Sequence, residues 1–278
     1  MKITLGHSPD PDDAFMFYAL AENKINSNPY EFEHILQDIQ TLNERAQRVE
    51  LDITAVSIHA YASLAQDYAL LASGASMGDG YGPMIVGYEK FNKNELLTKR
   101  IAIPGKMTSA HLALQLFLDQ RDETLDTIVV PFDEIFTFIK EGQADVGVII
   151  HEGQLTYGDE GLVPSVDLGV WWKEENQLPL PLGGNAIRRS IGMDHITEIS
   201  RILKESIQYG LDHRDAGVEH ALPLGRGLDK SKADQFIGMY VNDYTIDYGE
   251  AGRQAVQLFL DLGYSRGILP EKIEVEFV

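Results

Sequence analysis

The chain reads Ile101-Ala-Ile-Pro-Gly-Lys-Met-Thr-Ser-Ala110 and, further along, Ala144-Asp-Val-Gly-Val-Ile-Ile-His151, and these two segments determine the predicted fold. Each segment contains an apolar run with the length of a buried strand. The residues from Ala110 to Leu118 have a helical pattern, and the Thr-Ser pair before them is typical of a helix start. Strand, helix and strand in this order indicate an α/β protein with a parallel sheet.

Both segments contain residues that suit a ligand site. A helix that starts at Thr108, Ser109 and Ala110 offers unpaired backbone N–H groups and a partial positive charge to a carboxylate or phosphate. His151 follows the second strand, and the carboxyl ends of parallel strands meet at the sheet edge where α/β proteins bind ligands. An imidazole titrates near neutral pH and can act as a general base. A plain helix cap and a structural histidine are the alternative interpretations.

A second strand end repeats the arrangement. The residues from Ile53 to Val56, which include Ala55, read as a short buried strand, and Ser57 follows at the start of a predicted helix. Two helix starts at two strand ends make a shared ligand more plausible than either helix start does alone.

The sequence predicts no cofactor and no metal site. The chain has no cysteine, which excludes zinc–thiolate sites and thiol nucleophiles. The glycine-rich stretch from Gly74 to Gly82 lacks the dinucleotide and P-loop patterns. Asp10, Asp12 and Asp13 share one turn, but the glycine and glutamate of a calcium-binding loop do not follow them. We interpret them as turn residues, with a metal cluster as the alternative.

The composition excludes several kinds of partner. The formal net charge is −20, which repels nucleic acid and anionic lipid. No stretch approaches the roughly 18 uncharged apolar residues of a membrane span, and the N-terminus has no apolar signal segment. We expect a cytoplasmic protein that binds a small-molecule carboxylate, without membrane insertion or a nucleic-acid partner. The sequence makes no prediction of the oligomeric state.

Strand and helix patterns alternate along the whole chain, which predicts an α/β fold with mainly parallel sheets flanked by helices. The polar connector at residues 91–95 and the Pro- and Gly-rich segment at residues 178–185 read as two crossings between lobes. We therefore predict a discontinuous first lobe of residues 1–88 plus 183–278, an inserted second lobe of residues 89–182, and a cleft between them.

Four blocks carry a resemblance to a known family. They are His7-Ser-Pro-Asp-Pro-Asp-Asp-Ala-Phe-Met-Phe-Tyr-Ala-Leu20, Val56-Ser57, Pro104-Gly-Lys-Met-Thr-Ser-Ala110 and Ile150-His-Glu-Gly-Gln-Leu-Thr-Tyr157. Together they resemble the 1,4-dihydroxy-6-naphthoate synthases, which are the lyases of the futalosine route to menaquinone. The resemblance covers nearly the whole chain in order.

The resemblance implies a two-lobed, periplasmic-binding-protein-like fold of type II. It also implies a cofactor-independent lyase that converts cyclic dehypoxanthine futalosine to 1,4-dihydroxy-6-naphthoate. It assigns the general base to His151. It assigns substrate contacts to six residues at the two strand ends: Ala55, Val56, Ser57, Thr108, Ser109 and Ala110.

One block departs from the family pattern. The usual N-terminal block is Ser-Pro-Cys-Pro-Asn-Asp-Thr, and here Asp10, Asp12 and Ala14 replace its Cys, Asn and Thr. Two additional carboxyl groups at this position can change which ligand binds. A chorismate dehydratase-like enzyme of the same pathway and a non-catalytic solute-binding protein for a small carboxylate are the alternative functions.

Overall fold

Two sheets surrounded by helices make up the computed structural model, which describes all 278 residues. The strands are β1 (Lys2–His7), β2 (Glu31–Leu36), β3 (Ile53–Ser57), β4 (Tyr68–Leu70), β5 (Ser76–Gly78), β6 (Met84–Gly87), β7 (Ile101–Ile103), β8 (Thr127–Val129), β9 (Val146–Ile149), β10 (Val163–Asp167) and β11 (Leu180–Arg188).

The α-helices are α1 (Pro11–Met16), α2 (Tyr18–Ala21), α3 (Ile39–Gln47), α4 (Ile58–Tyr61), α5 (Lys93–Leu96), α6 (Ser109–Leu118), α7 (Ile135–Lys140), α8 (Gly153–Thr156), α9 (Leu168–Asn176), α10 (Met193–Asp212), α11 (Arg214–Ala221), α12 (Lys230–Tyr240), α13 (Asp243–Ile246) and α14 (Gly249–Ser265). Short 3-10 helices lie at Asp122–Thr124, Phe132–Glu134, Tyr157–Glu160, Arg189–Ile191 and Leu222–Leu224. None of the helices is both long enough and apolar enough to cross a lipid bilayer.

The first sheet has the strand order β2-β1-β3-β11-β4, and β5 also pairs with β11. In this sheet β1 runs parallel to β2 and β3, whereas β11 runs antiparallel to β3, β4 and β5. The second sheet has the order β10-β6-β9-β7-β8. Here β7 is parallel to β8 and β9, and β6 is antiparallel to β9 and β10.

The predicted α/β fold is confirmed, but the sheets are mixed rather than mainly parallel as predicted. Every antiparallel pair involves β6 or β11. These are the strands with which the chain enters the second sheet and returns to the first. Alternation of strands and helices carries no information about the direction of such connecting strands, so the pattern could not reveal them.

The chain passes between the two sheets at positions that differ from the predicted lobe boundaries. The strand β6 lies in the second sheet, although the sequence assigned residues up to 88 to the first lobe. Its partners β9 and β10 come later in the chain, so its apolar run alone could not show where it pairs. The return strand β11 begins at Leu180, before the predicted return at residue 183. The division into two lobes stays a prediction.

The largest buried hydrophobic cluster joins the two sheets. It contains Val56 and Leu70 from the first sheet, Ile103 and Val148 from the second, and the fully buried Trp172. Removal of apolar surface from water contributes roughly 25 cal/mol per Å² to folding, so this shared cluster ties the sheets to each other. Residues that follow β3, β7 and β9 thereby come within reach of one another.

Candidate functional site

A cleft with an empty volume of about 740 Å³ lies between residues of both sheets. Its walls include the last residues of β3, residues that follow β1, β7 and β9, the segment 182–185 of β11, and residues of α12. It is lined by all seven residues predicted for the site: Ala55, Val56, Ser57, Thr108, Ser109, Ala110 and His151. The structure thus brings every predicted site residue into one cleft, and their individual roles stay predictions.

The start of α6 offers amide groups rather than hydroxyl groups to a ligand. The Thr108 hydroxyl donates to the Gly105 carbonyl oxygen at 2.8 Å, and the Ser109 hydroxyl donates to the Leu182 carbonyl oxygen. The backbone N–H groups of Ser109 and Ala110 have no acceptor within the protein. These amides carry the positive end of the helix dipole. The amide part of the predicted anion site is therefore available, whereas the two hydroxyl protons are already donated.

Ser57 contributes a hydroxyl that is still free to donate. The buried Asn43 accepts from the Ser57 N–H at 2.9 Å and donates from Nδ2 to the Ser57 hydroxyl oxygen at 3.0 Å. The Ser57 side chain makes no cap bond to α4. A serine hydroxyl that accepts one bond keeps its own proton, so Ser57 can donate it to a ligand in the cleft.

His151 is the second residue after β9 and has a left-handed backbone conformation, with φ of 53°. A non-glycine residue in this region is uncommon and often marks a functional position. Its Nδ1 lies 3.2 Å from the Asp10 Oδ2, and its ring packs edge-on against Phe132 with centroids 4.7 Å apart. Its Nε2 is buried and has no partner. The imidazole is held from one side, and the nitrogen on the other side is left for a ligand in the cleft that it lines.

A cation holds the carboxylate that faces His151. The Arg226 Nη1 donates to the Asp10 Oδ1 at 2.7 Å and lies 3.2 Å from the Glu152 Oε1. The guanidinium also lies over the Phe132 ring at 4.6 Å from its centroid. Asp10 is only 1% exposed. A buried carboxylate needs such a partner, because an unpaired charge in this environment is costly.

The other two aspartates of the same turn are buried at the cleft wall. Burial raises the pKa of Asp12 well above its ordinary value, and the nearby Asp13 and Asp10 carboxyl groups add to the rise. Burial also raises the pKa of Asp13 to about 7, helped by Asp10 and opposed by the hydrogen bond from the Ser8 N–H. The Asp12 Oδ1 has no partner. The three carboxyl groups do not form a metal-binding cluster. The Asp10 carboxylate at this end disfavours a second anion, so an anionic group fits better at the α6 end.

Comparison with known proteins assigns the chain to a family. Residues 3–265 match the family described as menaquinone biosynthesis. The chain belongs to this family. A 1,4-dihydroxy-6-naphthoate synthase of Thermus thermophilus is 35% identical over 266 residues, which cover 96% of this chain and 95% of the relative. The enzyme of the same name from Streptomyces coelicolor is 32% identical over 270 residues, with coverage of 96% and 95%. The family resemblance read from the sequence is confirmed.

Solved structures support the same fold for this member of the menaquinone-biosynthesis family. Protein AF1704 from Archaeoglobus fulgidus superposes with a TM-score of 0.91 at 42% identity, covering 96% of this chain and 98% of the other. The periplasmic aliphatic sulphonate binding protein SsuA from Escherichia coli has a TM-score of 0.66 at 14% identity, covering 99% and 90%. The second likeness concerns the fold alone, and it confirms the predicted periplasmic-binding-protein-like architecture.

Two contributors to the site of this menaquinone-biosynthesis protein, Asn43 and Arg226, were missed by sequence reasoning, and the contact made by a third, Asp10, was not predicted. Asn43 on α3 and Arg226 before α12 look like ordinary surface residues in the sequence, and no local pattern marks them. Asp10 did carry a signal, because it replaces the usual cysteine of the family block. The sequence could not show that this aspartate faces His151, since the two residues meet only in the folded protein.

We expect Asp13→Asn to stabilise the protein increasingly as the pH rises. The ordinary pKa of the Asp13 carboxyl is 3.8 and the folded value is about 7, so the folded state binds this proton more tightly than the unfolded chain does. The contribution of the Asp13 proton to wild-type stability is therefore fully present below about pH 4, and it is lost as the pH rises through about 7. Asparagine does not ionise, and its side-chain oxygen can still accept from the Ser8 N–H.

Urea unfolding at pH 4, 6 and 8 tests this expectation. The gain of Asp13→Asn over wild type should be smallest at pH 4 and reach on the order of 1–4 kcal/mol at pH 8. The control is Asp215→Asn, because the Asp215 side chain is fully exposed. A gain that does not depend on pH would contradict the proposed cost of the buried Asp13 charge.

Proposed function

We propose that this protein is a 1,4-dihydroxy-6-naphthoate synthase that acts in menaquinone biosynthesis. In this proposal it is a lyase that converts cyclic dehypoxanthine futalosine to 1,4-dihydroxy-6-naphthoate, with His151 as the general base. One observation carries the proposal: the unpartnered Nε2 of His151 and the free amides of Ser109 and Ala110 line the same cleft. The names of the two synthase relatives support the choice of reaction.

The carboxylate of the substrate is proposed to bind at the start of α6. With a net charge of −20, the chain needs a local positive potential to attract an anion. The N–H groups of Ser109 and Ala110 supply that potential without a charged side chain. Ser57 adds a hydroxyl proton. Hydrogen bonds to a charged group contribute roughly 1.5–3 kcal/mol each, so these donors suffice to orient the substrate.

His151 is proposed to remove a proton from carbon during the cleavage that generates the aromatic product. This step needs a neutral imidazole with its lone pair on Nε2, the nitrogen that has no partner in the protein. The apolar edge contact with Phe132 and the partial burial of the ring limit the access of water. A base in a water-poor cleft keeps its lone pair for the substrate and acts in a fixed geometry. A role in biosynthesis also supports the prediction of a cytoplasmic protein.

Incubation with candidate substrates tests the proposal. The purified protein is mixed separately with cyclic dehypoxanthine futalosine and with chorismate, and products are followed by mass spectrometry. We expect 1,4-dihydroxy-6-naphthoate from the first and no turnover of the second. Dehydration of chorismate would replace the proposal with the dehydratase function. Binding of a small carboxylate with no turnover of either compound would favour a solute-binding protein.

A further inference from the structure

The partner of His151 comes from the other sheet. His151 follows β9 of the second sheet, whereas Asp10 follows β1 of the first. The two side chains meet across the cleft, with Nδ1 and Oδ2 at 3.2 Å. A second contact across the cleft involves Glu152, the residue after His151, which pairs with Arg226. Arg226 precedes α12, and α12 packs against α1, the helix that follows Asp10.

We propose that Asp10 is a positioning residue that fixes the tautomer of His151 across the cleft. The inference rests on the proposed function of His151 as a general base. A carboxylate only accepts hydrogen bonds, so a neutral imidazole beside it carries its proton on Nδ1. The lone pair is then on Nε2, which is the nitrogen left without a partner at the cleft.

Arg226 determines which Asp10 oxygen serves His151. The guanidinium donates to Oδ1 at 2.7 Å, which leaves Oδ2 for the imidazole. Arg226 and His151 also contact the same Phe132 ring, one over its face and the other against it in a tilted edge arrangement. The carboxylate and the aromatic ring thus contact the imidazole directly, and the guanidinium in turn holds both of them.

Asp10→Asn tests the proposal, because it keeps the shape and removes the charge. In this variant the asparagine oxygen should face the Arg226 donor, so its NH₂ group turns to His151. The imidazole must then accept at Nδ1 and carry its proton on Nε2, the wrong nitrogen for a base in the cleft. We expect kcat to fall about 10- to 100-fold with KM changed less than about twofold.

Nitrogen NMR of protein labelled at the histidine rings measures the tautomer of His151. A purely structural role of Asp10 would leave this tautomer unchanged. The His151 signals are identified by their loss in His151→Asn, since the chain has eight histidines. Wild type should show the Nδ1–H form, and Asp10→Asn should show the Nε2–H form. The control is Lys232→Met, which removes the exposed Lys232–Asp159 pair at 3.3 Å and should leave kcat and the tautomer unchanged.

The outcomes separate this inference from the proposed function. If His151→Asn keeps wild-type kcat, the general-base role itself fails. If His151→Asn is inactive while folded Asp10→Asn keeps both kcat and the Nδ1–H form, only the positioning role of Asp10 is overturned. Should Asp10→Asn not fold, Arg226→Gln provides the test. It should lower kcat with little change in KM, and wild-type kcat in that folded variant would overturn the proposal.

Discussion

His151→Asn should fold as the wild type does and lose about 10²–10⁴-fold in kcat, the range that a general base contributes. Asparagine suits this test because His151 has a φ of 53°, a left-handed conformation in which asparagine is enriched. Alanine at the same position would add backbone strain and confuse a loss of stability with a loss of chemistry. Asparagine has no basic nitrogen, so proton removal must fall to water.

Steady-state kinetics with cyclic dehypoxanthine futalosine, together with thermal unfolding, decide the first prediction. The matched control is His213→Asn, because His213 is an exposed histidine stacked on Tyr209 and does not line the cleft. It should retain wild-type kcat. A His151→Asn protein with wild-type kcat and an unchanged melting temperature would remove His151 from the mechanism.

The parts of the fold that the sequence predicted well are those with local causes. The strands β7 and β9 and the helix α6 were predicted because buried apolar runs and a Thr-Ser cap are encoded by adjacent residues. The strand β5 was missed inside the glycine-rich stretch, since three residues, Ser76–Gly78, give no periodic pattern.

In the site, too, the features with local causes were predicted from the sequence and the long-range contacts were not. The helix starts and His151 were found because each is a short local motif that follows a buried strand. The contact between Arg226 and Asp10 joins residues 216 positions apart, and no spacing rule connects them. The hydrogen-bond partners of the hydroxyl groups could not be predicted from the sequence either. Only the fold reveals that the Ser109 proton goes to the Leu182 carbonyl oxygen while the Ser57 proton stays free.

The second large effect is expected at the start of α6, where Ser109→Pro should raise KM about 10- to 100-fold above the value of Ser109→Ala. Proline removes the Ser109 N–H, one of the two amides proposed to hold the substrate carboxylate. A hydrogen bond to a charged group contributes roughly 1.5–3 kcal/mol, which corresponds to this change in affinity. The effect on kcat should be smaller, because His151 is untouched.

The local backbone permits this substitution. Ser109 is the first residue of α6, a position that favours proline, and Thr108 has φ of −75° and ψ of 147°, which suits the residue before a proline. Both variants lose the hydroxyl that binds the Leu182 carbonyl oxygen, so their comparison isolates the amide. If the two variants have equal KM while both keep the wild-type melting temperature, the Ser109 amide does not bind the carboxylate. The substrate anion would then have to lie nearer to Ser57, and Ser57→Ala would become the variant that raises KM.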